Sequence, residues 1–264
     1  MKYSQKSIFI RVLQNFKTYG IQATIKKFLK KVFLQSTGKQ VSVVEYQKHS
    51  IEVFTEIPRF ISNDTFFKSA TIEDEARAWY YEWKNWKSMQ TGDAPENWNA
   101  GQGLSLALYM LVRTIKPRLV VETGTANGTS AAAILAALEV NQLGILHTFD
   151  VYNFDLRYVP KELGHRVHKH VISKRNALEK WILTNKNLID ANSIFLHDSN
   201  HSYEHQAWEY EIASRNGFSI LISDDVDDSK AFIDLKAFHK RIFVDGDKLI
   251  GLCQLSESIA VNFE

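Results

Sequence analysis

From Arg118 onward, short apolar runs alternate with helix-like patterns, and this alternation constrains the fold of the 264-residue chain more than any other feature. Residues 119–121, 145–149, 193–196 and 219–222 read as strands buried on both faces, with helical stretches between them. Strand, helix and strand repeating in this way argue for an α/β fold with a doubly wound, mainly parallel sheet. The end of the chain changes character. Residues 241–244, 248–255 and 258–263 suggest strands joined by tight turns such as Asp245-Gly246-Asp247, so an antiparallel C-terminal hairpin is expected.

The first hundred residues read differently. Ile8, Phe9, Val12, Leu13 and Phe16 recur at helical spacing, Gly20 offers a helix end, and Ile21, Ile25, Phe28, Leu29, Val32 and Phe33 repeat the pattern. Nine of the 32 Lys and Arg residues and none of the 30 acids fall in residues 1–44, so the remainder carries 23 basic and 30 acidic residues. Two basic amphipathic helices are expected there, packed on the main domain. Contact with a membrane surface is a less favoured reading. Residues 73–87 carry Trp79, Tyr80, Tyr81, Trp83 and Trp86, a density typical of core or subunit contacts, and homo-oligomers are compatible with it. A loop at 91–95 and an apolar helix at 104–115, ended by Lys116-Pro117, follow. The expected division is an accessory helical or lid region over 1–100 and a catalytic domain over 101–264. The single Cys253 allows no intramolecular disulfide, and no stretch approaches the roughly 20 apolar residues of a membrane span, so a cytoplasmic location is expected.

The first strand runs directly into Glu122-Thr123-Gly124-Thr125-Ala126-Asn127-Gly128-Thr129-Ser130, followed by an alanine-rich helix. Gly124 and Gly128 let the backbone turn and approach a ligand closely, and the free N–H groups of the helix start favour a carboxylate or phosphate. A dinucleotide fingerprint needs glycines where Ala126 and Thr129 stand, and no Gly-Lys-Ser/Thr follows, so neither that motif nor a phosphate loop fits. The pattern E-x-G-x-x-x-G, with Asp150 ending the next strand, instead resembles the first motifs of class I S-adenosylmethionine methyltransferases. The resemblance implies a seven-stranded Rossmann-like sheet. It also implies cofactor contacts at Glu122, Gly124, Thr125, Gly128, Thr129, Ser130 and Asp150, with Asp150 accepting both ribose hydroxyls and Glu122 near the methionyl amino group.

Two further segments, Phe195-Leu-His-Asp198-Ser-Asn-His201-Ser-Tyr203 and Ile220-Leu-Ile-Ser-Asp224-Asp225-Val226, resemble the D-x-x-H-x-Y and D-D segments of the macrocin and catechol O-methyltransferase-like group. That resemblance covers residues 101–232 and implies a divalent metal, Mg²⁺ by its oxygen ligands, held by Asp198, Asp224 and Asp225. It also implies a hydroxyl acceptor on a small molecule such as a sugar or natural product. His201 is favoured as the base, with Asp198 as the alternative. Asp227 and Asp228 read as a solvated lid or helix cap, His147 and His197 as structural, and His165, His168 and His170 as surface. A nucleic-acid substrate is disfavoured, because the basic residues lie away from the acidic catalytic part. A metal-assisted hydroxylase-like relative and a catalytically silent cofactor-binding module remain as alternatives.

Overall fold

The computed structural model describes residues 40–54, 70–227, 229–245 and 248–256. The helices expected within residues 8–33, the strand expected at 258–263, the Gly246-Asp247 turn and Asp228 lie outside the described residues. The chain divides into two compact units, Met1–Lys48 and His49–Glu264. Within the first, α1 spans Gln40–Lys48.

The second unit is built on a sheet ordered β1-β7-β8-β6-β5-β2-β3-β4. Its strands are β1 (Glu52–Phe54), β2 (Leu119–Thr123), β3 (Ile145–Asp150), β4 (Val167–Val171), β5 (Ile194–His197), β6 (Ile220–Ser223), β7 (His239–Asp245) and β8 (Lys248–Gln254). All neighbours pair parallel except β8, which runs antiparallel to both β6 and β7. The parallel sheet and the antiparallel end are therefore as expected. The strand number is not, since the described residues form eight strands instead of seven. The addition is β1 at the edge, where Glu52 pairs with Arg241 in register and accepts a 3.0 Å ion pair from it. Three residues are too few to carry a periodicity signal.

Every residue of β2, β5 and β6 is buried, because helices cover both faces of the central sheet. These helices are α2 (Ala70–Lys87), α3 (Gln102–Ile115), α4 (Thr129–Asn141), α5 (Arg175–Thr184), α6 (Tyr203–Asn216) and the short α7 (Lys230–Asp234). In α4 every residue from Thr129 to Leu138 is buried, and the small side chains of Ala131, Ala132, Ala133, Ala136 and Ala137 let it pack closely on α3 and the sheet. α3 ends where Lys116 turns left-handed (φ 50°) ahead of Pro117, which disfavours a further helical residue. The aromatic run of α2 joins the core: Tyr80 and Trp83 are buried, and Trp79 stacks on Tyr109 of α3 at 5.3 Å. Among the described residues, no helix is long and apolar enough to cross a membrane.

Strand order reverses at β2, which has β3 on one side and β5 on the other. A crevice at the carboxyl ends of the strands is the expected ligand position in such a sheet. Glu122, Asp150, Asp198, Asp224 and Asp225 all lie at that edge.

Candidate active site

The loop from β2 to α4 is held in shape by alternating left-handed residues, Gly124 (φ 88°), Ala126 (φ 44°) and Gly128 (φ 86°). A side chain at Gly124 would place its Cβ 2.0 Å from the carbonyl oxygen of Asp198, so only glycine fits where this loop passes β5. Such a backbone forms a concave nest of N–H groups. Thr125 and Ala126 donate to Asp150 Oδ2 at 2.9 and 3.1 Å, and Tyr152 donates its N–H to Oδ1 at 2.9 Å. Asp150 is thus the anchor of the glycine loop. Of the roughly four acceptor positions on a carboxylate, three are taken, which leaves room for one ribose hydroxyl without displacing an N–H.

Glu122 is fully buried beneath the start of α4, where Ser130 donates to its Oε1 at 2.5 Å. Its Oε2 has no hydrogen-bond partner among the described residues. Burial pushes this carboxyl up to about 7, against the opposing pull of the Ser130 and Thr148 hydroxyls. Thr129 donates to Asn99 Oδ1 at 3.2 Å, and Thr125 shares a 2.7 Å hydrogen bond with Thr148. The hydroxyls of this segment therefore tie the loop to its surroundings.

Asn127 was not singled out in the sequence, yet it clips a covering segment over the loop. Its Oδ1 accepts the Ala94 N–H at 2.7 Å, and its Nδ2 donates to the Ala94 carbonyl at 3.0 Å. A second cover comes from residues 152–160: Tyr158 donates its N–H to the Asn127 carbonyl, and its own carbonyl accepts the Trp83 indole N–H at 2.9 Å. Trp98, Tyr152 and Phe154 gather beside Asp150, with ring centroids 5.2 to 6.1 Å apart.

At the ends of the adjacent strands β5 and β6, Asp198, Asp224 and Asp225 are close enough to interact electrostatically, but among the described residues no group of three acids or histidines is arranged to hold a metal ion. Asp224 follows β6 and is 2% exposed, whereas Asp225 adopts a left-handed conformation (φ 49°) and keeps its side chain 36% exposed. Desolvation and then Asp224 push the Asp198 carboxyl well above the usual carboxylate range, and desolvation followed by Asp225 raises Asp224. The cation that opposes both shifts belongs to the chain. Lys248 Nζ lies 2.8 Å from Asp224 Oδ2 and 3.4 Å from Asp225 Oδ1. Although burial alone would lower it, Asp224, Asp225 and Asp198 together raise the Lys248 pKa. The residues do not fit the divalent-metal site that the resemblance implied, because an ammonium group already engages two of the three supposed ligands. His201 Nε2 stands 3.9 Å from Asp225 Oδ2 with its side chain 26% exposed, at the open side of this cluster.

Behind Asp198 a buried network also escaped the sequence reading. Glu209 of α6 accepts from Thr123 Oγ1 (2.7 Å), Ser199 Oγ (3.2 Å), His205 Nε2 (2.9 Å) and His197 Nδ1 (2.5 Å). Burial pushes the Glu209 carboxyl up, but the His197 and His205 rings outweigh it and hold the pKa far below the usual range. His197, read from the sequence as a satisfied structural residue, is fully buried and pairs through Nδ1, but its Nε2 has no hydrogen-bond partner among the described residues. Asp227 differs from its reading as lid or cap, since its Oδ2 accepts the Leu249 N–H at 3.0 Å and pins β8, while Ser229 caps α7 through Phe232. His168 is exposed, as read from the sequence, whereas His170 is half-buried; both lie in β4, where their rings stack on His147.

Residues 121–216, which span the glycine loop, Asp150, Asp198 and Glu209, match a family described as a methyltransferase domain. This segment is similar to a methyltransferase domain. Around it, three solved structures are similar in outline. TomG from Streptomyces achromogenes, an O-methyltransferase involved in tomaymycin synthesis and solved with S-adenosylmethionine, is 16% identical over 76% of this chain and 99% of its own, with a TM-score of 0.45. The O-methyltransferase from Bacillus cereus, in complex with S-adenosylhomocysteine, is 14% identical over 76% and 97%, also at 0.45. CalS11, a TDP-rhamnose 3'-O-methyltransferase of calicheamicin biosynthesis, is 16% identical over 72% and 97%, again at 0.45. No curated protein matches the sequence. Within and beside this segment, the anchored glycine loop and the acidic edge lie at the carboxyl ends of neighbouring strands around the β2 switch point.

Proposed function

We propose that this chain transfers the methyl group of S-adenosylmethionine to a hydroxyl of a small molecule. One observation carries the reading: the loop after β2 in the methyltransferase-like segment is fixed by Asp150 at the switch point, with Glu122 beneath it. In this reading the α4 start receives the methionyl carboxylate, the single open position on Asp150 receives a ribose hydroxyl, and Glu122 faces the methionyl amino group. Gly124, Thr125, Gly128, Thr129 and Ser130 shape that cradle.

The acceptor oxygen attacks the methyl carbon as the carbon–sulfur bond breaks, its electron pair passing to sulfur and giving S-adenosylhomocysteine. The hydroxyl proton goes to His201 Nε2, and the resulting imidazolium faces Asp225. Asp198 is the alternative base; His201 is preferred because its partly exposed ring stands at the open side of the cluster, whereas the Asp198 carboxyl is desolvated. A sugar or natural-product hydroxyl is supported by the resemblance of residues 195–203 and 220–226 to the macrocin-type group.

The test is transfer of labelled methyl from S-adenosylmethionine to a panel of sugar and phenolic hydroxyls. Label appearing in an ether product is expected, with His201→Ala about 10² to 10⁴ times slower and partly rescued at high pH. If S-adenosylhomocysteine binds but no hydroxyl in the panel is methylated, the catalytically silent reading gains ground. If His201→Ala keeps full activity, the base assignment is wrong.

A further inference from the structure

We propose that Lys248 is the resident counter-ion of the acidic edge and that, given the methyltransferase reading above, this site works without a divalent metal. β8 runs antiparallel to β6 with Ser223 opposite Gly251, so the start of β8 lies beside the residues that follow β6. Two backbone links fix that start: Val226 donates to the Leu249 carbonyl at 2.9 Å, and Leu249 donates to Asp227 Oδ2 at 3.0 Å. The Lys248 ammonium is therefore delivered by pinned backbone to a position 2.8 Å from the buried Asp224 and 3.4 Å from Asp225.

Burial distinguishes this pair from a surface ion pair. Asp224 is 2% exposed, and the lysine side chain 29%. A carboxylate withdrawn from water demands a partner cation far more strongly than one in solvent. Mg²⁺ would need lone pairs of the same oxygens at about 2.0 to 2.1 Å in near-octahedral geometry, while an ammonium at hydrogen-bonding distance already draws on them. Both cations cannot occupy the space between Asp224 and Asp225 without strong repulsion. Lys248 also reaches the reaction indirectly, since Asp225, its second partner, stands 3.9 Å from His201. It is a positioning residue, holding Asp225 beside the base.

The experiment is a titration of the full-length protein with Mn²⁺, read by electron paramagnetic resonance, for wild type, Lys248→Ala and Lys248→Arg. Wild type and Lys248→Arg are expected to take up no stoichiometric Mn²⁺ up to about 1 mM. Lys248→Ala, with one like charge removed from the site, is expected to bind at least about tenfold more tightly. Stoichiometric micromolar binding to wild type, displaced by Mg²⁺, overturns the proposal, as does a folded Lys248→Ala protein that binds no better than wild type. If Lys248→Ala does not fold, the wild-type and Lys248→Arg titrations still decide. Calorimetry with S-adenosylhomocysteine on the same preparations keeps the two readings apart: its failure counts against the methyltransferase reading and leaves the Mn²⁺ result standing.

Discussion

Glu122 illustrates how much a single buried carboxyl can report. Burial lifts its pKa from 4.5 to about 7, so between those values the folded chain holds a proton that the unfolded chain releases. Its contribution to stability is therefore fully present below the lower value and is lost as pH rises through the upper one. Cofactor binding carries the opposite sign, because a cationic methionyl amine favours ionised Glu122. Calorimetry from about pH 5.5 to about pH 8 should show S-adenosylmethionine binding more tightly as pH rises, and Glu122→Gln should flatten that dependence. An unchanged pH profile in the variant would remove Glu122 from the cofactor site. Gly124 gives a sharper structural test: with a left-handed backbone and an Asp198 carbonyl in the way, Gly124→Ala should cost about 3 kcal/mol or more. A melting temperature equal to wild type contradicts the loop geometry. Glu122, Gly124, Asp150, Asp198, Asp224 and Asp225 were legible in the sequence because each sits in or beside a strand-turn signal. Asn127 and Lys248 were not, since their roles depend on partners 33 and 24 residues away, Ala94 and Asp224.

Strands buried on both faces are plain in a sequence and edge strands are not. The apolar runs of β2, β3, β5 and β6 stood out, whereas β4 reads Val-His-Lys-His-Val with only partial burial and was taken for surface. There His147 shares a 3.0 Å hydrogen bond with His170 and packs against Trp181, with ring centroids 4.5 Å apart. Desolvation, then His168 and His170, lowers the His147 pKa to about 4. A depressed histidine contributes stability above its unfolded value of 6.5, lost as pH falls towards 4. Melting temperature should therefore decline over that interval, and His147→Phe should decline less. A variant as acid-sensitive as wild type would place the effect elsewhere. On the other side of the site, α6 supports β5 through Glu209, whose four hydrogen-bond donors include two histidines. Glu209→Ala leaves those groups buried without their anion and should cost about 3 to 5 kcal/mol in denaturant unfolding. A loss below about 1 kcal/mol would show that the network is not a structural anchor.

Across the whole molecule, the order β4-β3-β2-β5-β6 places each candidate acid at the carboxyl end of a parallel strand, and the antiparallel β8 returns to bring Lys248 among them. The alternation of strands and helices made the first arrangement legible from residue 118 onward. The second depended on the register of a returning strand, which local pattern does not encode. The metal expectation failed to fit for that reason: the acids were visible and their cation was not. The central claim is that the Asp150-anchored loop is an adenosyl-cofactor site, and calorimetric titration with S-adenosylhomocysteine tests it most directly. Saturable binding to wild type is predicted, weakened by roughly 1.5 to 3 kcal/mol or more in Asp150→Ala, which loses both the ribose acceptor and the anchor of the loop. Binding of NAD with no binding of either adenosyl compound would contradict it.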